Sequence, residues 1–180
     1  MFRNLLTLSL ILIASILLQA QKIYATKTGQ LFFDASSPIE KIMAVNNQVD
    51  SKFNPANGQL IVSALIQSFK FENQLMEDHF NENYLESTKF PKADFKGYLT
   101  DIAKVDLTRN GEYPVTADGT LTIHGVGNKV AVTGTITVAG SEATLKGVFN
   151  VQLKDYGIKG SYIGDKIARE VNIRVNCKYQ

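Results

Sequence analysis

The alternation of apolar and polar residues is the feature that most constrains how this chain folds, and it is clearest over 167–179. Successive side chains of a β-strand point to opposite faces of the sheet, so a period of two gives a strand one apolar and one polar face. The same alternation runs through 130–138 and 143–153. These three segments predict antiparallel strands that each bury a single face.

Five further segments show the alternation less strongly and predict five more strands, at 23–33, 39–45, 60–71, 93–102 and 113–124. Glycine and asparagine tolerate the positive φ of tight hairpins, so they mark turns between strands. Four such pairs occur in the chain, namely Asn57-Gly58, Asn110-Gly111, Gly127-Asn128 and Gly140-Ser141. Most strands that are neighbours in sequence are therefore predicted to be hairpin neighbours in the sheet.

Eight antiparallel strands with one apolar face each can form either a two-sheet sandwich or a closed barrel. Closure leaves no unpaired strand edge, so we predict an all-β, eight-stranded antiparallel barrel with its apolar face inward. Gly97, Gly134 and Gly147 fall on that inward face. Two interpretations stay open: the missing side chains leave room for an apolar ligand, or the glycines are bends where strands curve.

One segment departs from the period of two. Met76, Phe80 and Tyr84 recur every four residues, which predicts an amphipathic helix over 73–85, between the third and fourth strands. Asn73 can cap its N-terminus, and the helix should end before Phe90-Pro91, because proline disfavours helical geometry in the residue before it. The Met76, Phe80 and Tyr84 stripe is interpreted either as a cover for one end of the barrel or as ordinary core packing.

The N-terminus has the pattern of an export signal, with a basic start at Arg3, an apolar run over 5–18 and a Leu-Gln-Ala sequence that ends at Ala20. The run is shorter than the ~20 apolar residues that cross a bilayer, which disfavours the alternative of an uncleaved anchor. We therefore expect a cleaved signal peptide over 1–20 and one barrel domain over 21–180 with no stable membrane span. The mature protein is expected to be periplasmic or secreted.

Charge and cysteine content exclude several classes of function. Nineteen basic and seventeen acidic residues leave a net charge of +2, too small for the electropositive surface that binds nucleic acid. The single cysteine, Cys177, cannot form an intramolecular disulfide or a cysteine-rich metal site. It falls on the apolar face of the last predicted strand, where a thiol behaves as a small hydrophobic group rather than as a nucleophile.

The sequence contains none of the common phosphate-binding, serine-hydrolase, zinc-protease or EF-hand motifs. His79 and His124 are the only histidines, and each is interpreted as a structural hydrogen-bonding group. Glu77, Asp78 and Glu82 flank His79 and are assigned to the solvated face of the helix. We expect no metal, no cofactor and no catalysis. An enzyme that uses either histidine with nearby carboxylates is the less favoured alternative.

Three stretches resemble the YceI-like lipid/polyisoprenoid-binding family in their order and approximate spacing. They are 75–95, which contains Leu-Met-Glu-Asp-His-Phe and Phe-Pro-Lys-Ala-Asp-Phe, then 119–126, Gly-Thr-Leu-Thr-Ile-His-Gly-Val, and 154–158, Lys-Asp-Tyr-Gly-Ile. The chain departs from the family pattern where Gly127-Asn128-Lys129 replaces a threonine-lysine-proline. The resemblance implies a lipocalin-like barrel that holds a long isoprenoid or another amphiphile and is generally not an enzyme.

Together, the alternation and the resemblance suggest a hydrophobic small molecule buried inside the barrel. A wall without polar groups suits such a ligand, because burial of apolar surface needs no directional contacts. The alternative is a closed structural or protein-interaction barrel with a solid core and no ligand. The residues predicted to face the lumen and contact the ligand are Phe95, Leu99, Leu121, Ile123, Val132, Ile136, Leu145, Phe149, Val151, Val171, Ile173 and Val175.

Overall fold

The computed structural model describes residues 22–179, which form a β-barrel with one helical segment. Short 3-10 turns lie at Ile66–Ser68, Ile102–Lys104 and Leu153–Tyr156. The strands and the helix are β1 (Tyr24–Ser36), β2 (Met43–Phe53), β3 (Gln59–Leu65), β4 (Lys70–Phe71), α1 (Gln74–His79), β5 (Lys92–Leu99), β6 (Gly111–Ile123), β7 (Val126–Ala139), β8 (Glu142–Gln152) and β9 (Ile167–Tyr179).

The eight long strands close into one antiparallel barrel. Their order is β1-β9-β8-β7-β6-β5-β3-β2, and β1 also pairs with β2, which completes the ring. The two-residue strand β4 pairs with the start of β2, at Ala44 and Val45. The predicted all-β, eight-stranded, lipocalin-like barrel with one helix is confirmed.

The prediction for the second strand, 39–45, is wrong in its bounds, because the strand begins later and extends to Phe53. A β-bulge adds one residue to β2 between Asn46 and Val49, relative to the paired segment of β1. In a regular strand, residues three apart face opposite sides of the sheet, but Asn46 and Val49 are both fully buried. The bulge therefore shifts the phase of the alternation. A polar residue, Asn46, also occupies an inward position, so the apolar pattern of this strand is weak in the sequence.

The predicted third strand, 60–71, is two strands in the structure, because the 3-10 turn after β3 separates it from β4. Ile66 and Phe69 are buried at this turn, and the backbone N–H of Ile66 donates to the carbonyl of Pro91. The chain thus folds over the barrel end at which β5 begins. Packing of this kind does not change the alternation of apolar and polar residues, so the sequence pattern does not predict the break between the two strands.

The turn between β6 and β7 lies at His124-Gly125 and not at the predicted Gly127-Asn128, which belongs to β7. Both turn residues have positive φ, 51° at His124 and 76° at Gly125, as a two-residue type I′ hairpin requires. His124 Nε2 lies 2.7 Å from a carboxylate oxygen of Glu86, and Nδ1 lies 3.3 Å from the carbonyl of Tyr156. Tertiary contacts therefore hold a non-glycine residue in the left-handed region.

The helical segment follows the prediction over 73–85 but has two parts. α1 is capped by Asn73, whose side-chain oxygen accepts a hydrogen bond from the backbone N–H of Leu75 at 2.8 Å. A π-helical turn, Phe80–Tyr84, continues it. Phe80 is buried, whereas Met76 and Tyr84 are half-buried.

The barrel end opposite the helical segment is closed by packed side chains. The rings of Tyr24, Phe53 and Tyr179 contact one another, with centroids 5.9 to 6.4 Å apart. The hydroxyl of Tyr179 lies 2.7 Å from that of Ser51, and both groups are buried. Ile136 is also fully buried toward this end. This end of the barrel is solid.

Candidate functional site

An apolar cavity of about 150 Å³ lies inside the barrel, and we call it the lumen. Its lining residues are apolar apart from Lys146, whose side chain is exposed on the outer face. Ile136 lies outside the lining, in the solid end. Contact of the lumen wall with a ligand stays a prediction. The other eleven predicted residues all line the lumen, namely Phe95, Leu99, Leu121, Ile123, Val132, Leu145, Phe149, Val151, Val171, Ile173 and Val175.

The middle of the barrel is not filled by protein side chains. Phe149, Ile173 and Val175 line the lumen but are only half-buried. Cys177 and Tyr179 lie further along the same strand as Ile173 and Val175, toward the solid end, and are fully buried outside the lumen lining. An inward side chain keeps exposed surface only where nothing packs against it. The barrel is therefore open in its middle and solid at one end.

Other residues, which the sequence pattern did not single out, also line the lumen. Leu31 and Phe33 of β1 and Val62 of β3 belong to this group, and the period of two within the predicted strands could have identified them. Ile66 also lines the lumen and continues the same phase within the predicted strand 60–71, although it lies in a turn. Ile158 comes from a loop, where no periodic signal exists.

The inward glycines have different roles. At Gly97 and Gly134, an added Cβ would collide with the backbone of the neighbouring strand, so these are positions where strands approach closely. At Gly147, an added Cβ would first meet the side chains of Val175 and Val132, at 3.2 and 3.4 Å. Gly97 and Gly134 therefore fit the interpretation as bends, and Gly147 fits the interpretation as room in the lumen.

A second cavity, of about 340 Å³, lies at the helical end of the barrel between the helical segment and the loops 36–42 and 157–166. We call it the vestibule. Its lining is mixed in polarity, unlike that of the lumen. Five side chains line both cavities and so stand between them, namely Phe33, Phe80, Leu85, Leu153 and Ile158.

Phe80 is the centre of this partition. Its ring centroid lies 5.5 Å from that of Phe33, 5.6 Å from that of Phe69 and 5.0 Å from that of Phe71. Edge-to-face and tilted pairs at such distances are favourable. Of the other residues in the predicted stripe, Met76 and Tyr84 line the vestibule. The stripe thus borders the open end of the barrel, and its action as a cover stays a prediction.

The sequence matches a known family over almost all of the described chain. Residues 24–179 match the YceI-like domain. This chain belongs to the YceI-like family. The resemblance found in three short stretches is thereby confirmed over the whole barrel. None of the curated proteins compared with it matches the chain.

Solved structures of YceI-like and related proteins share the fold of this barrel. A polyisoprenoid-binding domain from Saccharophagus degradans is 12% identical, with 88% of this chain and 97% of that chain covered and a TM-score of 0.76. BcnA of Burkholderia cenocepacia is 18% identical, with 84% and 96% covered and a TM-score of 0.69. A YceI protein of Campylobacter jejuni is 18% identical, with 74% and 80% covered and a TM-score of 0.57.

The two histidines of this YceI-like barrel lie in different surroundings. His79 is exposed and lines the vestibule, whereas His124 lies in the β6–β7 turn and contacts Glu86. Within residues 22–179, no group of three or more histidine, cysteine, aspartate or glutamate side chains is placed to hold a metal ion.

The assignment of Glu77 to the solvated face of the helix is wrong. Its side chain is buried, accepts a hydrogen bond from the ammonium of Lys70 and lies 3.3 Å from the backbone N–H of Phe71, which donates to it. Asp78 and Glu82 are exposed, as expected. Glu77 therefore fastens α1 to β4, a role that its helical position alone does not reveal.

Cys177 behaves as the small hydrophobic group expected from its place on the apolar face. The residue is fully buried, and burial raises the pKa of its thiol to about 11. Burial likewise raises the pKa of the neighbouring Tyr179. Both groups are therefore neutral at physiological pH, and neither is a candidate nucleophile in the YceI-like barrel.

Proposed function

We propose that this protein is an exported binding protein that sequesters or carries a hydrophobic amphiphile, a polyisoprenoid or another lipid, inside the barrel. The observation that carries the proposal is a lumen whose inward side chains, among the described residues, are all hydrocarbon. Such a wall favours an apolar chain and disfavours polar solutes, which would lose hydrogen bonds to water. The similar fold of the polyisoprenoid-binding domain from Saccharophagus degradans supports this ligand class.

The cavity volumes set the scale of the ligand. At roughly 30 Å³ per methylene-sized group, the lumen of about 150 Å³ holds about five groups, and the vestibule of about 340 Å³ has room for the part of a longer ligand that extends beyond the lumen. At about 0.8 kcal/mol per buried CH₂, the lumen alone contributes about 4 kcal/mol, which the cost of ordering a ligand largely offsets. A ligand that binds stably therefore extends from the lumen into the vestibule.

Native mass spectrometry of protein purified from its own host tests the binding proposal. We expect a retained apolar molecule that organic solvent extracts, and uptake of farnesol by the emptied protein. Protein that is consistently empty and takes up no isoprenoid probe would favour the alternative, a structural or protein-interaction barrel without a ligand.

Binding rather than catalysis is the proposed activity. His79 and His124 lie in different surroundings, and the lumen wall offers no group that transfers protons. Glutamine, like histidine, can donate and accept hydrogen bonds, so replacing each histidine by glutamine is expected to leave ligand binding nearly unchanged. We also expect the bound molecule to remain chemically unaltered in the original protein and in both variants. Loss of a measurable reaction with binding intact would instead support the enzyme alternative.

Export is proposed from residues 1–20, which lie outside the described part of the chain. Within residues 22–179 the structure has no helix long and apolar enough to cross a bilayer. We expect the mature protein to begin at Gln21 and to occur in the periplasmic or secreted fraction, as mass spectrometry of the intact protein would show. A full-length protein that stays with the membrane fraction would support the uncleaved anchor.

A further inference from the structure

The position of a ligand's polar end follows from the shape of the barrel, an argument that rests on the proposed function. Phe53 and Tyr179 pack the far end of the barrel solidly, so the tail leads into the lumen from the helical end. The polar head then remains in the vestibule, beyond the partition at Phe80. We infer that the vestibule is a head-group site and that it selects an amphiphile with an uncharged, hydrogen-bonding head, such as a hydroxyl, an amide or a carbonyl.

The vestibule supplies the polar groups that the lumen lacks. Tyr84 can donate a hydrogen bond from its hydroxyl, and burial raises the pKa of that hydroxyl, so it stays neutral. The side-chain oxygen of Asn73 caps α1, so its amide nitrogen is the group that can donate to a head, and the imidazole of His79 can donate and accept. These groups recognise a head by hydrogen bonds and need no charge on it. The polar residues that line the vestibule are Glu40, Asn73, His79, Tyr84, Tyr162 and Lys166.

The charges of the vestibule disfavour an anionic head. Glu40 and Lys166 are its two ionised lining residues, and their opposite charges cancel. The ammonium of Lys166 lies 5.5 Å from the ring centroid of Tyr162, within the range of a cation–π contact. A phosphate or diphosphate head requires several arginine, lysine or backbone N–H donors, and the carboxylate of Glu40 repels it. A head without charge exchanges its hydrogen bonds to water for those of the vestibule and meets no charge repulsion.

Farnesol and farnesyl diphosphate carry the same chain on different heads, and their affinities for the mature protein test the inference. Both can be measured by displacement of a fluorescent apolar probe. Because an anion without paired cations is costly to bury, we expect farnesol to bind at least about tenfold more tightly than the diphosphate. Equal or tighter binding of the diphosphate would overturn the inference and leave the proposed function intact. Failure of both to bind would refute the proposed function itself.

Reversing the charge of Glu40 tests whether the vestibule determines the selectivity for the head. Glu40→Lys should tighten the binding of farnesyl diphosphate by at least about fivefold and leave that of farnesol nearly unchanged. Glu112→Lys makes the same change of charge on an exposed residue near the solid end, and we expect no effect. Lys166→Glu should weaken diphosphate binding further. Equal responses to the Glu40 and Glu112 variants would show that the head does not lie in the vestibule, and would overturn the inference.

Discussion

Replacing Gly147 by leucine fills the lumen from its own wall. An added Cβ at this position first meets the side chains of Val175 and Val132, at 3.2 and 3.4 Å, so small side-chain shifts can accommodate it. Leucine adds four carbons, which occupy about 120 Å³ at roughly 30 Å³ each, against a lumen of about 150 Å³. The variant therefore leaves space for about one methylene group.

The fold should survive this substitution while binding is lost. Four buried carbons contribute about 3 kcal/mol at about 0.8 kcal/mol each, and overpacking costs about 1 to 3 kcal/mol, so the free energy of unfolding should change by less than about 2 kcal/mol. The ligand loses the same four contacts, which is about 3 kcal/mol or more than a hundredfold in Kd, at about 1.4 kcal/mol per factor of ten. Urea denaturation and titration with farnesol measure the two quantities.

Two matched variants make the test decisive. Val148→Leu changes the adjacent residue, which is exposed on the outer face, and should alter neither stability nor affinity. Gly134→Leu should prevent folding, because its side chain would collide with the backbone of β8. A folded Gly147→Leu protein that binds farnesol as tightly as the unaltered protein would refute the reasoning, since the ligand would then lie outside the lumen.

Three further predictions concern stability, each measured by urea denaturation. The pKa of Cys177 rises from 9.0 to about 11 on folding, so the folded protein keeps a proton that the unfolded chain loses between these values. The free energy of unfolding should thus fall by about 2 to 3 kcal/mol more in the unaltered protein than in Cys177→Ala between pH 9 and 11. Equal pH slopes would contradict this. His124→Asn keeps a residue that favours the turn but removes the contact with Glu86, and should cost about 1 kcal/mol. A cost above about 3 kcal/mol would show that the contact is more than a partly exposed pair. Ile136→Ala in the solid end should cost about 2 to 5 kcal/mol, and Val175→Ala beside the lumen less than about 2 kcal/mol. The reverse order would contradict the division of the barrel into solid and open parts.

Alternation predicted those parts of the barrel where strands run without interruption. Over 130–138, 143–151 and 171–179, every residue of the inward phase is buried or half-buried, because these segments pair in continuous register. At the start of β9 a register shift against β1 lies between Ile167 and Asn172, and Arg169 is exposed there. Most residues of the lumen wall could therefore be predicted from the sequence. Ile136 was predicted wrongly as a lumen residue, because the alternation shows that its side chain faces inward but not which end of the barrel is solid.

The errors fall where tertiary contacts override local pattern. The bulge at Asn46 is held by its side chain, which accepts a hydrogen bond from the backbone N–H of Gln48 and donates one to the carbonyl of Leu65. The left-handed conformation of His124 depends on its contact with Glu86, which is 38 residues away. The vestibule depends on loops that meet only after the barrel has closed, so no local pattern could predict it.

The crystal structure of protein purified from its own host, with its natural ligand retained, would show where in the barrel the ligand lies. We expect continuous tubular electron density along the barrel axis, from beside Gly147 past Phe80 into the vestibule. A lumen packed solidly by side chains, or a bound lipid that lies only on the outer surface, would show that the barrel does not hold its ligand inside.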